Sequence, residues 1–340
     1  MTTKPETSSS AQEHSHYKLP FNFGLGGVPL GNGFSIISDA TAEEVLESAW
    51  TSGVRYFDTS PWYGLGLSER RFGHFLHNKE RENFVLSTKV GRVLKATHNI
   101  PETMWHAPSP FEYEMDYTAA ATRRSIEDSL QRLGLNSIDI VYIHDLSPDN
   151  KDLGEHWMQY FEQAKKGAIP ELTRMRDEGL IKAWGLGVNT IEPILATLEV
   201  ADPDIFLSAT QYSLMYHEDA LNRLFPAIKA HGASIVVGAP LNAGFLTGAY
   251  RYDYEGKMPD GFKQKRDRMI AIAKAHDIDL RTAALQFSSA PEEVAAVIPG
   301  ASSRKQAAEN VISMQTKIPE DFWAELKEEK LIAAHATVPI

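Results

Sequence analysis

The chain has 340 residues, 43% of them hydrophobic, with a net charge of −11 and no cysteine. That length suits two ordinary domains or one large α/β barrel, and the apolar content is ample for a substantial core. The acidic balance argues against nucleic acid or an anionic membrane as main partner, and without cysteine there is neither a disulfide framework nor a thiolate metal site.

Residues 1–16 are polar and rich in Ser, Thr and Glu. They lack the apolar stretch of a signal peptide, so a mobile tail on a cytoplasmic protein is expected. The remainder, 17–340, shows no linker and is expected to be one domain. No run is long and apolar enough to span a membrane. Phe23 to Leu30 is a short apolar run with glycines. Thr41 to Trp50 has helical periodicity and a glycine beyond its end, at Gly53. Val54 to Phe57 is a strand that stops abruptly in Asp58-Thr59-Ser60-Pro61-Trp62-Tyr63-Gly64. An isolated buried carboxylate is costly, so Asp58 needs a partner.

The alternation continues to the end of the chain. Ser68–Leu76 is helical, and Asn83–Lys89 is a strand that again ends in a charge. A long helix, Tyr117–Leu133, closes at Gly134, and the strand Ile138–Ile143 runs into His144-Asp145. A helix is expected over Phe161–Arg176, with Pro170 breaking or restarting it. Next come strand Ile181–Val188, helix Ile191–Leu198, strand Phe206–Tyr212, and helix Glu218–Ala230 closed by Gly232. Strand Ser234–Val237 leads into a Gly- and Tyr-rich loop. Arg266–Ser288 is helical in two pieces, Val294–Ile298 is the last strand, and helices over Ser302–Gln315 and Glu320–Ala333 finish the chain.

Strict alternation argues for parallel strands, and eight such units make a (β/α)8 barrel. A doubly wound sheet is the competitor. It fits poorly, because Gly24-Leu-Gly26-Gly27-Val-Pro29 has proline where the last glycine of a dinucleotide fingerprint belongs.

In a barrel the C-terminal strand ends share one mouth. Asp58, Lys89 and His144 then converge, with Tyr63 just beyond Asp58. Singly, each has a bland reading: a turn cap, a solvated lysine, a packed histidine, a packing aromatic. Together their chemistry is coherent. A lysine cation lowers the pKa of a neighbouring phenol, a carboxylate holds the lysine, and a histidine orients a carbonyl. Tyr63 is therefore expected to be an acid/base group tuned toward neutral pH. This suits hydride transfer at a carbonyl or alcohol carbon. No Ser–His nucleophile motif supports acyl transfer, and only His144-Asp145 approaches the ligand cluster of a metal-dependent hydrolase, so no metal is expected.

These residues resemble the aldo-keto reductase superfamily. The similarity lies in Phe57–Gly64, Ser87–Gly91, Ser125–Gly134, Ile138–His144, Gly238-Ala-Pro-Leu-Asn242, Ile298-Pro-Gly-Ala-Ser302 and Glu309-Asn310, and covers roughly Phe21 to Gln315. Within the superfamily, His144-Asp145, 112–117 and 238–242 are most similar to a bacterial branch of aldose 1-dehydrogenases and pyridoxal 4-dehydrogenase. The resemblance implies a (β/α)8 barrel that binds NAD(P)H, with a catalytic Asp–Tyr–Lys–His set at Asp58, Tyr63, Lys89 and His144. It also implies nucleotide contacts at Asn189, Gln211, Gly238, Pro240, Leu241, Gly300, Ser302, Arg304, Gln306, Glu309 and Asn310. Relatives that prefer NADP often carry Lys and Arg where Gly300 and Gln306 stand here, so NAD is expected over NADP, although Arg304 and Lys305 lie close by. Trp62, Trp105, Phe111 and Tyr216 are candidate substrate contacts for an aldose or aldehyde.

Overall fold

The computed structural model describes residues 15–254 and 258–339. In chain order it begins with β1 (Leu25–Gly26), α1 (Asp39–Thr51), β2 (Tyr56–Asp58), α2 (Leu67–Leu76) and β3 (Val85–Val90). There follow β4 (Arg92–Ala96), β5 (Phe111–Met115), α3 (Ala119–Leu133), β6 (Ile140–His144), α4 (Trp157–Lys166), α5 (Ala168–Asp177) and β7 (Ala183–Val188). The chain continues through α6 (Glu192–Leu198), β8 (Ile205–Ala209), α7 (Phe225–His231), β9 (Ser234–Gly238), α8 (Phe262–Ala275) and α9 (Leu280–Ser289). It ends with β10 (Val294–Ile298), α10 (Arg304–Gln315) and α11 (Glu320–Glu328).

Eight strands form one parallel sheet in the order β1-β2-β3-β6-β7-β8-β9-β10. Single bridges, Phe23 to Val297 and Gly26 to Gly300, bring the first strand back to the last and complete the (β/α)8 barrel. Glycine is needed at this seam. A Cβ on Gly24 would lie 2.7 Å from the Tyr56 carbonyl, and one on Gly26 would lie 2.8 Å from the Ile298 carbonyl.

Side chains alternate between the faces of a strand, and this sorts the core into two layers. Tyr56, Val85, Ile140, Tyr142, Ile205, Val236 and Ala296 fill the barrel interior. Phe57, Leu86, Val141, Ile143, Phe206 and Val237 pack outward under the helices. Asp58, Lys89 and His144 share the inward parity of Tyr56, Val85 and Ile140 and lie nearer the C-terminal end, Asp58 one rung beyond Tyr56 and the other two each two rungs beyond Val85 and Ile140. On the opposite strands the inward positions at that end are Gly187, Ala209 and Gly238. Small residues there leave open space above the packed interior.

The helix boundaries follow local chemistry. Ser38, Thr118 and Ser303 cap α1, α3 and α10 by accepting a backbone N–H. The break expected near Pro170 falls at Gly167, between α4 and α5. A Cβ on Gly167 would meet the Tyr117 carbonyl at 2.5 Å, whereas Pro170 sits in the first turn of α5, where its missing N–H costs nothing. A π-helical stretch over 220–224 precedes α7. The last helix stops at Glu328, short of Ala333.

Two expectations need correction. The stretch from Arg92 to Met115 contains a hairpin, β4 against β5, that the βα alternation does not anticipate. The anchored chain also starts before Tyr17, since His16 bonds Asp202 at 2.7 Å. Residues 1–14 of the expected tail lie outside the described residues.

Candidate active site

Asp58 ends β2 and Lys89 stands on the neighbouring β3, and both are buried. Lys89 Nζ donates to both carboxylate oxygens of Asp58, at 2.9 and 2.8 Å, and to the Thr59 carbonyl at 2.9 Å. Ser87 Oγ donates to Asp58 Oδ1 at 2.7 Å and is itself bonded to Tyr56 Oη at 3.1 Å. Burial pushes the Asp58 carboxyl up and the Lys89 ammonium down, and the charge of each partner opposes the shift of the other.

Tyr63 lies over this pair, with Lys89 Nζ 4.6 Å from its ring centre. Burial raises the Tyr63 phenol well above its ordinary value, with the charges of Asp58 and Asp145 adding to the rise. The expectation of a phenol tuned toward neutrality therefore fails. The three contacts of the Lys89 ammonium go to Asp58 and Thr59, so no proton of it is left to donate to the Tyr63 oxygen, and the Asp58 charge offsets its field. In this state Tyr63 is a protonated acid.

His144 ends β6, with its ring 5.8 Å from that of Tyr63. Burial, aided by the charges of Lys89 and Arg92, holds its pKa well below the usual value, so the ring is neutral. Ser60 Oγ lies 3.1 Å from His144 Nδ1 and already accepts the Trp62 N–H. Its hydroxyl proton is then free to point at Nδ1, an arrangement that favours the tautomer with the ring proton on Nε2.

Asp58, Tyr63, Lys89 and His144 line one cavity of about 140 Å³. Trp62, Trp105, Met104 and Tyr254 form its aromatic and apolar wall, with Asp145 and Asn189 as polar companions. Met104 and Trp105 come from the connection between the hairpin strands. Trp105 packs on Tyr63 at 5.6 Å and edge-on to Trp62 at 5.6 Å. A wider vestibule of about 490 Å³ adjoins the cavity through Trp62, Met104, Asp145, Asn189 and Tyr254. Of the other candidate substrate residues, Phe111 lies within β5 opposite Ala96, and Tyr216 is 38% exposed; neither lines the cavity or the vestibule.

The reading from sequence missed Arg92. It is buried, donates to Asp145 Oδ2 at 2.8 Å and lies 4.5 Å above the Trp62 ring. Its signal was present in the alternation of Phe111-Glu112-Tyr113-Glu114-Met115, which marks a strand needing an antiparallel partner such as 92–96.

With this geometry in place the family is decided by comparison. Residues 22–330 match the aldo/keto reductase family model. The chain is an aldo-keto reductase. This aldo-keto reductase is 37% identical over 320 residues to D-threo-aldose 1-dehydrogenase from Pseudomonas sp, a match spanning 91% of the chain and 94% of that relative. It is 35% identical over 327 residues to pyridoxal 4-dehydrogenase from Microbacterium luteolum, again 91% and 94% of the two chains. Among solved structures, the holo form of an aldo-keto reductase from Bacillus halodurans superposes with a TM-score of 0.68 at 23% identity, covering 93% of both chains. An aldo/keto reductase from Klebsiella pneumoniae in complex with NADP and acetate gives 0.65 at 21%, covering 94% of each. Those two likenesses speak to the fold. The family membership makes the chain an NAD(P)-dependent oxidoreductase.

A groove of about 500 Å³ continues from the cavity, sharing Ala239, Tyr254 and Ile298 with it. The residues along it fit a dinucleotide. Gly238 presents no side chain to the cavity. A Cβ on Gly300 would strike Pro29 at 2.7 Å, so the groove floor there must be bare backbone. The first turn of the aldo-keto reductase's α10 offers free amides that suit a phosphate. Pro240, Leu241, Gly300, Ser302, Gln306, Glu309 and Asn310 line this groove, together with Lys305. Arg304 does not; its side chain is exposed and its carbonyl accepts from Ser48. Gln211 lines neither space and donates to the Asn189 carbonyl at 2.5 Å. Two cations absent from the expectation do line the groove, Arg251 and Arg281. Arg281 Nη1 is bound to Glu309 Oε2 at 2.5 Å.

Proposed function

We propose that this aldo-keto reductase oxidises the hemiacetal carbon of an aldose to a lactone, with NAD as the preferred nucleotide. The observation that carries the reading is the make-up of the cavity wall. Indole and phenol faces of Trp62, Trp105 and Tyr254 suit the C–H face of a sugar ring, and Asp145 and Asn189 beside them suit hydroxyls. The similarity to an aldose 1-dehydrogenase supports the same substrate class.

A bound nicotinamide supplies the hydride acceptor. His144 donates its Nε2 proton to the reacting oxygen and, being neutral, orients that oxygen without adding charge. Tyr63 exchanges the hydroxyl proton: the phenol gives it in reduction, and the phenolate takes it in oxidation. Asp58 and Lys89 hold the ring of Tyr63 from below and confine charge beneath it. Asn189 lines the cavity on the side toward which the nicotinamide amide would turn, and Gln211 stands behind it, donating to its carbonyl.

The preference for NAD rests on the groove. Gln306 folds back to accept from the Ser302 N–H at 2.8 Å, and Glu309 engages both Arg281 and Lys305. Arg281 and Lys305 are thus tied to a carboxylate and are less available to a 2′-phosphate, while the third groove cation, Arg251, lies over the Phe34 ring.

The test is turnover of a panel of aldoses, pyridoxal and simple aldehydes with each nucleotide, read at the nicotinamide absorbance. Lactone formation from aldoses with NAD is expected. Pyridoxal is the second arm, because the same aromatic wall accommodates a pyridine ring and a similar relative is a pyridoxal 4-dehydrogenase. Oxidation by Tyr63→Phe at the wild-type rate would sink the proton-transfer role.

A further inference from the structure

The catalytic set leaves one charged group of the cavity without a task. Asp145 follows His144 and lines both the cavity and the vestibule. Its backbone is held in the left-handed region, φ 46°, a conformation that Asp tolerates better than most residues. Its N–H donates to the Gly187 carbonyl at 2.9 Å, and its own carbonyl accepts from Asn150 Nδ2 at 2.8 Å. The side chain is equally constrained. Oδ2 accepts from Arg92 at 2.8 Å, and Arg92 is itself stacked on the Trp62 ring. Oδ1 then lies 3.6 Å from His144 Nε2.

That spacing has a chemical reading. Hydrogen bonds from Nε2 and to Oδ1 each reach about 3 Å. Donor and acceptor 3.6 Å apart can therefore address two oxygens that are themselves close together. Oxygens on adjacent carbons, joined through bonds of about 1.5 Å, meet that condition. The oxygen on Nε2 is the reacting one, so the oxygen on Oδ1 belongs to the next carbon and must carry a proton to donate.

We propose that Asp145 is a specificity-determining residue that accepts a hydrogen bond from a hydroxyl on the carbon next to the reacting carbon, with Arg92 as its positioning residue. The enzyme then selects 2-hydroxy aldehydes and aldoses over their 2-deoxy counterparts. A neutral partner would contribute less, because hydrogen bonds to ionised acceptors are roughly twice as strong as neutral ones. The inference deepens the proposed substrate class and rests on that reading for aldoses, but its test does not.

The experiment compares reduction of 2-hydroxypropanal and propanal, with NADH or NADPH, by wild type, Asp145→Asn and Asp145→Gly. The readout is the ratio of kcat/KM for the two aldehydes within each protein, so a general loss of activity cancels. Wild type should prefer the hydroxy aldehyde by at least tenfold. Asp145→Asn keeps the shape and the Arg92 bond, and should lower the ratio several-fold. Asp145→Gly suits the positive φ and removes the acceptor, and should bring the ratio close to one. A wild type without preference, or a ratio that survives both substitutions while the two rates fall in step, overturns the proposal and leaves Asp145 a structural partner of Arg92. Failure to form lactone from aldoses would sink the proposed function alone, since the aldehyde ratio is read independently of it.

Discussion

The pair Asp58–Lys89 should behave as a single unit in stability measurements. Replacing Lys89 with Met keeps the length of the side chain but leaves the Asp58 carboxylate with Ser87 as its remaining donor. The carboxylate is 2% exposed and the ammonium 1%, so water cannot replace the lost cation. Removing one member of such a buried pair costs about 3–5 kcal/mol. With a urea dependence of about 3 kcal/mol per molar, the unfolding midpoint should drop by more than about 1 M. The double variant Asp58→Leu/Lys89→Met removes both charges and should return to within about 1–2 kcal/mol of wild type. The assay is a double-mutant cycle by urea denaturation at pH 7. Acid adds a second check. In Lys89→Met the buried Asp58 prefers its proton, so its folded pKa exceeds its unfolded one, and the deficit should shrink as pH falls. A single-variant cost below about 1 kcal/mol, the size expected of an exposed pair, would refute the argument. So would a double variant as unstable as the two singles summed.

Three further outcomes are expected. In the proposed mechanism reduction uses the Tyr63 phenol, whose pKa is raised by burial, and a neutral His144, whose pKa is lowered by burial, so kcat/KM for reduction should stay flat from about pH 6 to 9, whereas oxidation should climb with pH because it uses the phenolate; an opposite slope in pH–rate profiles would contradict these assignments. His217 is pushed down to about 4 by burial; it accepts the Ala333 N–H and bonds the Ser213 carbonyl. Its depressed folded pKa means that the stabilisation is complete above the unfolded value and is lost as pH falls toward 4, by up to about 3 kcal/mol; denaturation of wild type and His217→Gln from pH 7 to 4 should show this loss in wild type alone. Gln306→Arg should raise the NADP-to-NAD ratio of kcat/KM by about tenfold to a hundredfold, since one charge-assisted hydrogen bond to a 2′-phosphate is worth about 1.5–3 kcal/mol; an unchanged ratio would place the adenosine ribose elsewhere.

The barrel was legible because its signals are local and periodic. Apolar runs ending in Asp58, Lys89 and His144 mark the C-terminal strand ends, and parity then places all three on the inward face. The need of a buried acid for a cation also led correctly from Asp58 to Lys89. Parity alone does not rank the buried acids, however. Asp139 and Asp204 are just as buried and are also paired with cations, Arg81 and Lys182 for one and Arg176 for the other. They precede their strands, and so sit at the face of the barrel where conserved groups serve stability rather than chemistry. The hairpin was lost because 92–96 and 111–115 pair across an intervening stretch with no short turn signal. Arg92 and the placement of Trp105 were lost with it. The protonation state of Tyr63 was misjudged for a different reason. A list of neighbouring charges omits how many donors a lysine has left, and here Asp58 and Thr59 take all three.

The hairpin β4–β5 forms its own two-stranded sheet and shares no strand pairing with the barrel. It supplies Arg92, and its connection supplies Met104 and Trp105, while Asp58, Lys89 and His144 come from barrel strands and Trp62 and Tyr63 from the turn after β2. Part of the cavity wall is therefore written on a piece of chain separate from the proposed proton-transfer groups, although Asp145 and Trp62 remain beside them. The segment from Arg92 to Met115 is a natural unit for transplantation: exchanged between relatives of this architecture, it should carry its share of the wall, and of selectivity, into a recipient whose proposed proton-transfer residues stay untouched.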